Sequence, residues 1–310
     1  MLRLSRTIRD MAPQHLSHDP KWVRANTLFS TTSGIGRDVG LLGIPAYETS
    51  LSLTSAHLTP DAIRMALARY STYSTSHDVD LRDFDLLDLG NVESPDGEEG
   101  EQRVAAAVSN ARSNHGLLIA LGGDNSITHS VVTGLWPDIS NCGLITMDAH
   151  LDLRDGHSSG SPVWRLIQAG MDGKNIVQIG ISDFANSREY SARAKEAGIH
   201  IVSRDALRKR PTSDVMAEAL DIAGSGNREI YVDIDMDVCD RSVAPACPAS
   251  VPGGVTGDEV RQVAYIAGAD ARVRGLDITE IDAAIDTPDQ RTIRLGALLV
   301  LEASCGAASR

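Results

Sequence analysis

The segment that decides the fold reads Cys-Gly-Leu-Ile-Thr-Met-Asp-Ala-His-Leu-Asp over residues 142–152. Its first six residues form an uncharged, mostly apolar run, which is typical of a strand buried on both faces of a sheet. The polar residues that follow, Asp148, His150 and Asp152, alternate with apolar ones and therefore project to one side of an extended chain. A buried strand thus ends in two carboxylates and an imidazole.

Three other apolar runs end in a similar way. One closes with Gly-Gly-Asp-Asn-Ser at 122–126, a second covers 229–235, and a third covers 273–278. The acids at or just after the last two ends are Asp233, Asp235, Asp237, Asp240, Asp277 and Glu280. Because ligands of open α/β sheets bind beyond the carboxyl ends of the strands, we expect these residues to meet in one site.

The whole chain repeats this pattern of strand and helix. Strands are predicted at 39–44, 84–89, 116–121, 142–147, 176–181, 199–202, 229–235 and 273–278. Helices are predicted from Thr59, where a cap precedes Pro60 and Asp61, and at 102–112, 162–169, 187–197, 213–223, 258–267 and 291–303. The alternation predicts an α/β fold with a mostly parallel sheet of about eight strands covered on both faces.

The domain organisation follows from the same pass along the chain. Residues 1–37 show weak periodicity and are predicted to be an N-terminal arm, and residues 38–310 a single domain. Gly34-Ile35-Gly36 is not a dinucleotide fingerprint, because no strand precedes it and the third glycine is missing. The acidic segment 93–101 is predicted to be a solvated surface loop.

Composition excludes several classes of function. A net charge of −13 and an aromatic content of 4% argue against a nucleic-acid partner. The apolar runs are far shorter than the roughly 18 residues that span a bilayer, so no membrane is expected. The four cysteines form no C-x-x-C pair, the first 22 residues do not form a secretory signal, and a cytoplasmic location is expected.

Carboxylates this dense would repel one another at buried strand ends unless a cation separated them. Mostly oxygen ligands with an imidazole suit manganese better than zinc or copper, and two clusters suggest two ions. A single D-x-D or D-x-H-x-D pattern could instead be a surface turn. The Gly122-Gly123 pair could bind phosphate at the following helix, but it lacks the lysine and the spacing of a P-loop.

The four motifs together resemble those of the ureohydrolases, the family of arginase, agmatinase and formimidoylglutamase. They are Gly122–Ser126 (G-G-D-H-S in the family), Asp148–Asp152 (D-A-H-x-D), the D-x-D-x-x-D that starts at Asp235, and the G-x-D-x-x-E that starts at Gly275. The resemblance implies a three-layer α/β/α fold, usually in trimers or hexamers. It also implies that Asp148, His150, Asp152, Asp235 and Asp237 bind two Mn2+ ions, and that Glu280 pairs with a cationic amidine or guanidine.

Two departures from the family pattern affect this expectation. Asn125 stands where the first motif has a histidine ligand, so we expect it to offer a carbonyl oxygen and one of the two ions to bind weakly. Ser159 stands where agmatinases have a histidine that moves protons, and His157 lies two residues away.

Residues 152–154, 158–162 and 178–187 resemble the formimidoylglutamase branch in particular. That resemblance implies hydrolysis of N-formimidoyl-L-glutamate to L-glutamate and formamide. We expect Asp152 and Glu280 to be catalytic, and Glu280, Arg154, Ser159 and Asn186 to bind the substrate, with Arg154 as a clamp on its carboxylates. The alternatives left open are a hydrolase of agmatine, a guanidino acid or arginine, and a metal-poor relative without catalytic activity.

Overall fold

The structure, a computed structural model, describes residues 16–29, 38–112 and 114–310. In chain order its strands are β1 (Val39–Ile44), β2 (Tyr73–Ser74), β3 (Val79–Asp80), β4 (Leu86–Asn91), β5 (Leu117–Gly122), β6 (Cys142–Met147), β7 (Ile176–Ile181), β8 (His200–Ser203), β9 (Glu229–Asp235) and β10 (Val273–Thr279). Eight of these form one sheet in the order β4-β1-β5-β10-β9-β6-β7-β8, and all its neighbouring pairs are parallel. Strands β2 and β3 form a separate antiparallel hairpin.

Helices cover both faces of the sheet in the described part of the chain. They are α1 (Thr59–Ala66), α2 (Gly97–Arg112), α3 (Ile127–Leu135), α4 (Pro162–Gln168), α5 (Arg188–Ala197), α6 (Arg204–Leu207), α7 (Thr212–Ala223), α8 (Gly257–Ala269) and α9 (Arg291–Ala307). One apolar core joins α1, α7, α8 and α9 to the sheet, and a second core joins α2, α3, α4 and α5 to its other face.

Successive strand residues divide between the two cores. Leu41 and Ile119 belong to the first core, whereas their neighbours Leu42 and Leu118 belong to the second. Both faces of the central strands are therefore buried, which explains why these strands are apolar runs without polar alternation. The predicted three-layer α/β/α fold with a parallel sheet of about eight strands is confirmed.

Two local predictions were wrong. The acidic segment 93–101 is not wholly a loop, because α2 begins at Gly97 and the side chain of Glu101 is largely buried. Thr59 does not cap α1 with its side chain. It lies inside the helix and is fully buried, and its hydroxyl donates to the Ile281 carbonyl at 2.5 Å, since a buried hydroxyl needs a hydrogen-bond partner.

Part of the predicted N-terminal arm packs against the domain. Ala25 is buried and its amide donates to the Tyr70 carbonyl, and the Arg24 guanidinium donates to the Ala68 carbonyl. Residues 1–15 and 30–37, including the Gly34-Ile35-Gly36 segment, lie outside the described residues. Among the described helices, none combines the length and the apolar character that crossing a lipid bilayer requires.

Candidate active site

The sheet order brings the four motif-bearing strand ends together. Strands β5, β10, β9 and β6 are consecutive neighbours, and all run in the same direction. Ile278 pairs with Leu121, Thr279 pairs with Asp235, and Met147 pairs with Ile234. The residues that follow each strand therefore emerge at one edge of the sheet, where a parallel fold forms its ligand sites.

Five acidic and histidine side chains converge at this edge. Potential ligand atoms of Asp148, His150 and Asp237 all lie within 4.8 Å of one another, and so do those of Asp148, Asp152 and Asp235. Asp148 belongs to both groups. The strand order thus brings residues 148–152 close to residues 235–237, although they are far apart in sequence. The arrangement has the form of two adjacent cation sites that share one carboxylate.

Backbone amides orient the carboxylates of this cluster. The amide of His150 donates to Asp148 Oδ1 at 2.6 Å, that of Asp237 to Asp235 Oδ1 at 2.8 Å, and that of Ala149 to Asp237 Oδ1 at 3.1 Å. The last bond crosses between the two segments and fixes them relative to each other.

Asp152 and Glu280 share an unusual backbone conformation. Their φ angles are 51° and 63°, in the left-handed region that non-glycine residues rarely adopt. Such conformations are uncommon outside functional or tightly constrained positions. Both residues directly follow a buried segment, and the sharp change of direction turns their side chains into the same cavity.

The cluster has strongly perturbed electrostatics. Burial and the neighbouring Asp237 carboxylate raise the pKa of Asp148 to about 7. Burial also raises the pKa of Asp152 and of Asp235, with Asp148 and Asp237 respectively adding to the effect. Burial by itself disfavours a charged His150, but hydrogen bonds to Asp148 and Asp237 prevail and raise the pKa of His150 to about 12.

These shifts indicate that the cluster is built for added positive charge. Without a cation, His150 acts as the counter-ion, with its Nδ1 atom 2.7 Å from Asp237 Oδ2. Asp148 Oδ2 is buried and has no hydrogen-bond partner among the described residues. Carboxylate oxygens and one imidazole are a donor set that suits Mn2+, so the residues present fit the metal.

Asn125 differs from the expectation that its carbonyl oxygen faces a metal. Its Nδ2 atom donates to Asp152 Oδ2 at 2.6 Å, and its Oδ1 atom accepts from the hydroxyls of Thr128 and Thr279 at 3.0 Å each. The Asp152 carboxylate favours this orientation, because an ionised carboxylate can only accept, whereas the two hydroxyls can donate to the amide oxygen. The amide thus turns its N–H groups, which cannot bind a cation, toward the acid cluster.

Glu280 is held against the segment that follows β5. Its Oε1 atom accepts from the backbone amide of Asn125 at 2.9 Å, and the backbone amide of Glu280 donates to the Gly123 carbonyl at 2.9 Å. Burial raises the pKa of Glu280 to about 8, and the nearby Asp124 carboxylate adds to this effect. A cationic group that enters the cavity would favour the ionised form of Glu280 and lower this pKa.

A cavity of about 530 Å3 opens above the acid cluster, large enough for an amino-acid-sized substrate. Its lining joins the acids to residues of four loops and α5: Leu51, Ser52, His150, Leu151, Asp152, Leu153, Arg154, Ser159, Gly160, Ala185, Asn186, Ser187, Tyr190, Asp235, Asp237, Ala249 and Glu280. All the predicted catalytic and substrate-binding residues are among these. Of the predicted metal ligands, Asn125 and Asp148 do not line the cavity.

The three predicted substrate-binding residues besides Glu280 are placed very differently. Arg154 is exposed, and its guanidinium makes no ion pair with any described residue. Ser159 is buried and its hydroxyl accepts from the Leu51 amide at 3.3 Å. Both ends of the Asn186 amide bind backbone, since Oδ1 accepts from the Leu151 amide and Nδ2 donates to the Ala149 carbonyl. Asn186 therefore supports the segment that carries His150, and only part of it faces the cavity.

Neither His157 nor the nearby His129 reaches the acid cluster. His157 Nε2 lies 2.6 Å from Glu101 Oε1. His129 is largely buried on α3, with Nδ1 3.8 Å from Glu101 Oε2. Neither residue lines the cavity, so neither occupies the position left by the missing histidine ligand or by the missing proton-transfer histidine.

Thr128 and Tyr231 support the site, although the sequence patterns did not single them out. Both hydroxyls lie 2.8 Å from Asp277 Oδ2, and that of Thr128 also reaches Asn125. Thr128, in the first turn of α3, follows Asn125 by three residues, and its amide donates to the Asn125 carbonyl at 3.4 Å, so the turn brings the two side chains together. That spacing was the available signal for Thr128, whereas the Tyr231–Asp277 contact depends on neighbouring strands.

The sequence is similar to curated relatives over most of its length. A formimidoylglutamase of Halalkalibacterium halodurans is 34% identical over 271 residues, which cover 84% of this chain and 85% of the relative. The Bacillus subtilis formimidoylglutamase is 31% identical over 283 residues, covering 87% and 88%. The agmatinase of Bacillus subtilis is 26% identical over 261 residues, covering 82% and 86%.

Solved structures with the same fold include the formimidoylglutamase of Bacillus subtilis, with a TM-score of 0.87, 30% identity and 94% of each chain covered. The Trypanosoma cruzi formiminoglutamase crystallised with Mn2+ has a TM-score of 0.84 at 22% identity, covering 93% of this chain and 99% of that one, and supports the fold alone. The sequence profile of the arginase family matches residues 37–306. With the parallel sheet and the acid cluster at its edge, this match shows that the chain belongs to the arginase family.

Proposed function

We propose that this chain is a formimidoylglutamase. It hydrolyses N-formimidoyl-L-glutamate. In this reaction water adds to the amidine carbon, and the bond from that carbon to the glutamate nitrogen breaks, giving L-glutamate and formamide. The two formimidoylglutamase relatives described above, each more than 30% identical, and the structural neighbour at 30% identity carry this activity in their names, which supports the proposal.

The observation that carries the proposal is the charge pattern of the cavity. Glu280 and the acid cluster line one part of it, and Arg154 is the one arginine or lysine among its lining residues in the described chain. The proposed substrate has a cationic amidine at one end and carboxylates at the other. Each end therefore finds an opposite charge, and an unpaired guanidinium is suited to bind a carboxylate through two hydrogen bonds.

We further propose that the acid cluster holds two Mn2+ ions. Asp148, His150 and Asp237 would hold one ion, and Asp148, Asp152 and Asp235 the other. The second ion would bind more weakly than the first. Asn125 turns its N–H groups toward Asp152, whereas a histidine at this position would add an imidazole ligand. The chemistry that manganese supplies when bound is the activation of water at neutral pH.

The side chains of the site then have distinct tasks. Glu280 pairs with the planar amidinium and orients it, supported by its hydrogen bond from the Asn125 amide. Asp152 faces the cavity and passes a proton to the leaving glutamate nitrogen. Asn186 keeps the His150 segment in place through its two backbone bonds. Ser159 lines the cavity beside Arg154 and contributes a hydroxyl to the substrate.

A substrate panel with the manganese-loaded protein tests the proposal. It contains formimidoylglutamate, agmatine, 3-guanidinopropionate and arginine, with glutamate, formamide and urea measured as products. Release of glutamate and formamide from formimidoylglutamate at the highest kcat/KM is expected. Urea release at a higher kcat/KM would assign the chain to the guanidino-compound hydrolases, of which the agmatinase relatives are examples. No turnover of any substrate with both ions bound would indicate a non-catalytic relative.

Three further expectations accompany the proposal. The chain forms a homo-trimer or homo-hexamer, it acts in the cytoplasm, and residues 38–310 form one catalytic domain preceded by an arm at 1–37. Light scattering on the purified protein measures the first of these directly. Limited proteolysis that trims the arm and leaves an active core would support the domain boundary.

A further inference from the structure

Glu101 on α2 is a largely buried carboxylate that the proposed reaction does not use. Its side chain is 19% exposed and lies outside the cavity lining. Arg165 at the middle of α4 donates to Oε1 and Oε2 at 2.7 Å each, which is a bidentate ion pair. His157 Nε2 lies 2.6 Å from Oε1. Glu101 therefore joins one helix to two different points of the segment that follows the acid cluster.

The charges around Glu101 favour its ionised form. Burial opposes the charge, but Arg165 and then His157 outweigh it and lower the pKa of Glu101 below its usual value. His129, the other histidine nearby, stays neutral, because burial and the Arg165 charge lower its pKa to about 4. The ionised Glu101 carboxylate therefore binds Arg165 and His157, and charge-assisted bonds of this kind are stronger than neutral ones.

The segment tied by Glu101 forms one wall of the cavity. Residues 154–160 connect Asp152 to α4, and they include Arg154, Ser159 and Gly160 of the lining. Gly156 has a φ of 88°, and no atom lies within 4 Å of the position that a Cβ would take there, so no side-chain packing holds that side of the wall at Gly156. The wall has several ties. The Arg154 amide donates to the Gly160 carbonyl, the Ser159 amide donates to the Thr49 carbonyl, Asp155 forms an ion pair with Arg193 at 2.8 Å, and His157 contacts Glu101.

We propose that Glu101 is a positioning residue for substrate recognition. By fixing His157 in the wall segment and Arg165 just after it, Glu101 sets the place of the Arg154 guanidinium, which has no ion-pair partner among the described residues. Loss of Glu101 therefore weakens binding of the carboxylate end of the substrate and leaves the acid cluster intact. This inference rests on the proposed function, in which Arg154 binds the substrate carboxylates.

The test compares Glu101→Gln with Glu99→Gln as a matched control. Glu99 lies on the same helix, is 91% exposed and has only a 3.9 Å contact to Arg103. Both manganese-loaded variants are assayed with formimidoylglutamate and with N-butylformamidine, an amidine that lacks carboxylates. For Glu101→Gln we expect KM for formimidoylglutamate to rise roughly tenfold with kcat within about twofold, since a displaced charge-assisted contact has this effect on binding. The kcat/KM for N-butylformamidine and both constants of Glu99→Gln should stay unchanged.

Two results would overturn the proposal. One is an unchanged KM in Glu101→Gln. The other is an equal loss of kcat/KM for both substrates, which would reveal a general structural role. If Glu101→Gln does not fold, His157→Ala replaces it, because the Glu101–Arg165 ion pair then remains and one tie to the wall is lost. The KM rise expected for His157→Ala is smaller but has the same substrate dependence, and no rise in this variant counts against the proposal.

Hydrogen exchange separates this inference from the proposed function. In the manganese-loaded protein, the amides of Arg154 and Ser159 should exchange faster in Glu101→Gln than in the wild type, with other regions unchanged. A wild type that does not hydrolyse formimidoylglutamate would refute the proposed function while this exchange difference still supports the tie. If the amides of Arg154 and Ser159 exchange at the same rate in Glu101→Gln and in the wild type, the proposed role of Glu101 in holding the wall is refuted.

Discussion

Replacing Glu280 with glutamine tests the site most directly. The amide has nearly the same shape, and its oxygen can still accept from the Asn125 amide, so the fold and the acid cluster should be retained. What is lost is the negative charge opposite the amidinium. At an effective dielectric constant of about 20 and a separation of about 4 Å, that attraction amounts to about 4 kcal/mol. A hydrogen bond from the amidinium to the glutamine oxygen restores about 1 kcal/mol of it.

The expected net loss is therefore about 3 kcal/mol in transition-state binding, which corresponds to a decrease of about 100-fold in kcat/KM. The assay is steady-state hydrolysis of formimidoylglutamate, with manganese content and thermal unfolding measured on the same preparations. Glu98→Gln, an exposed site on α2, is the control for removing one negative charge. A Glu280→Gln variant with the metal content and the kcat/KM of the wild type would refute the charge-pairing role of Glu280.

Three other predictions concern the metals, the carboxylate clamp and pH. Asn125→His should increase manganese retention on dialysis against a chelator, because an imidazole replaces N–H groups that face Asp152. Two ions retained by the wild type and no gain in the variant would contradict this. Arg154→Met should raise KM for formimidoylglutamate about 10- to 100-fold through the lost charge-assisted bonds, and Arg188→Met, on the exposed start of α5, should not. The metal-free protein should lose stability as the pH rises from about 4.5 to 8. The pKa values of Asp148 and Glu280 are raised to about 7 and 8, so the folded state keeps protons that the unfolded state has released. His150, with its pKa raised to about 12, adds to the loss above about pH 6.5. A melting temperature of the chelated protein that is constant or rises over this range would contradict that sign.

The strands were predictable because their burial leaves a direct record in the sequence. A parallel strand covered by helices on both faces must be apolar throughout, so the runs at 142–147, 176–181 and 229–235 coincide with β6, β7 and β9. Strand ends were shifted by one or two residues at β4 and β5. The start of α2 was missed because its first turn is rich in glycine and glutamate and has no apolar face.

The ligand types and their local spacing were also contained in the sequence. Alternation along an extended chain is enough to place Asp148, His150 and Asp152 on one side, and the direction of parallel strands is enough to expect the other acids nearby. The convergence of Asp148 with Asp235 and Asp237 follows from the adjacency of β6 and β9, which the tertiary fold decides.

Only the tertiary structure decided which hydrogen-bond partner each polar side chain has. Asn125 turns its N–H groups to the acids because Thr279, 154 positions away, competes for its carbonyl. Asn186 is committed to two backbone groups of the His150 segment, and Arg154 is left without an ion-pair partner among the described residues. Glu101 meets Arg165 across 64 positions. Strand burial and residue type are local properties that composition and periodicity record, whereas the partner of a polar group depends on which distant donors and acceptors the fold brings within about 3 Å of it.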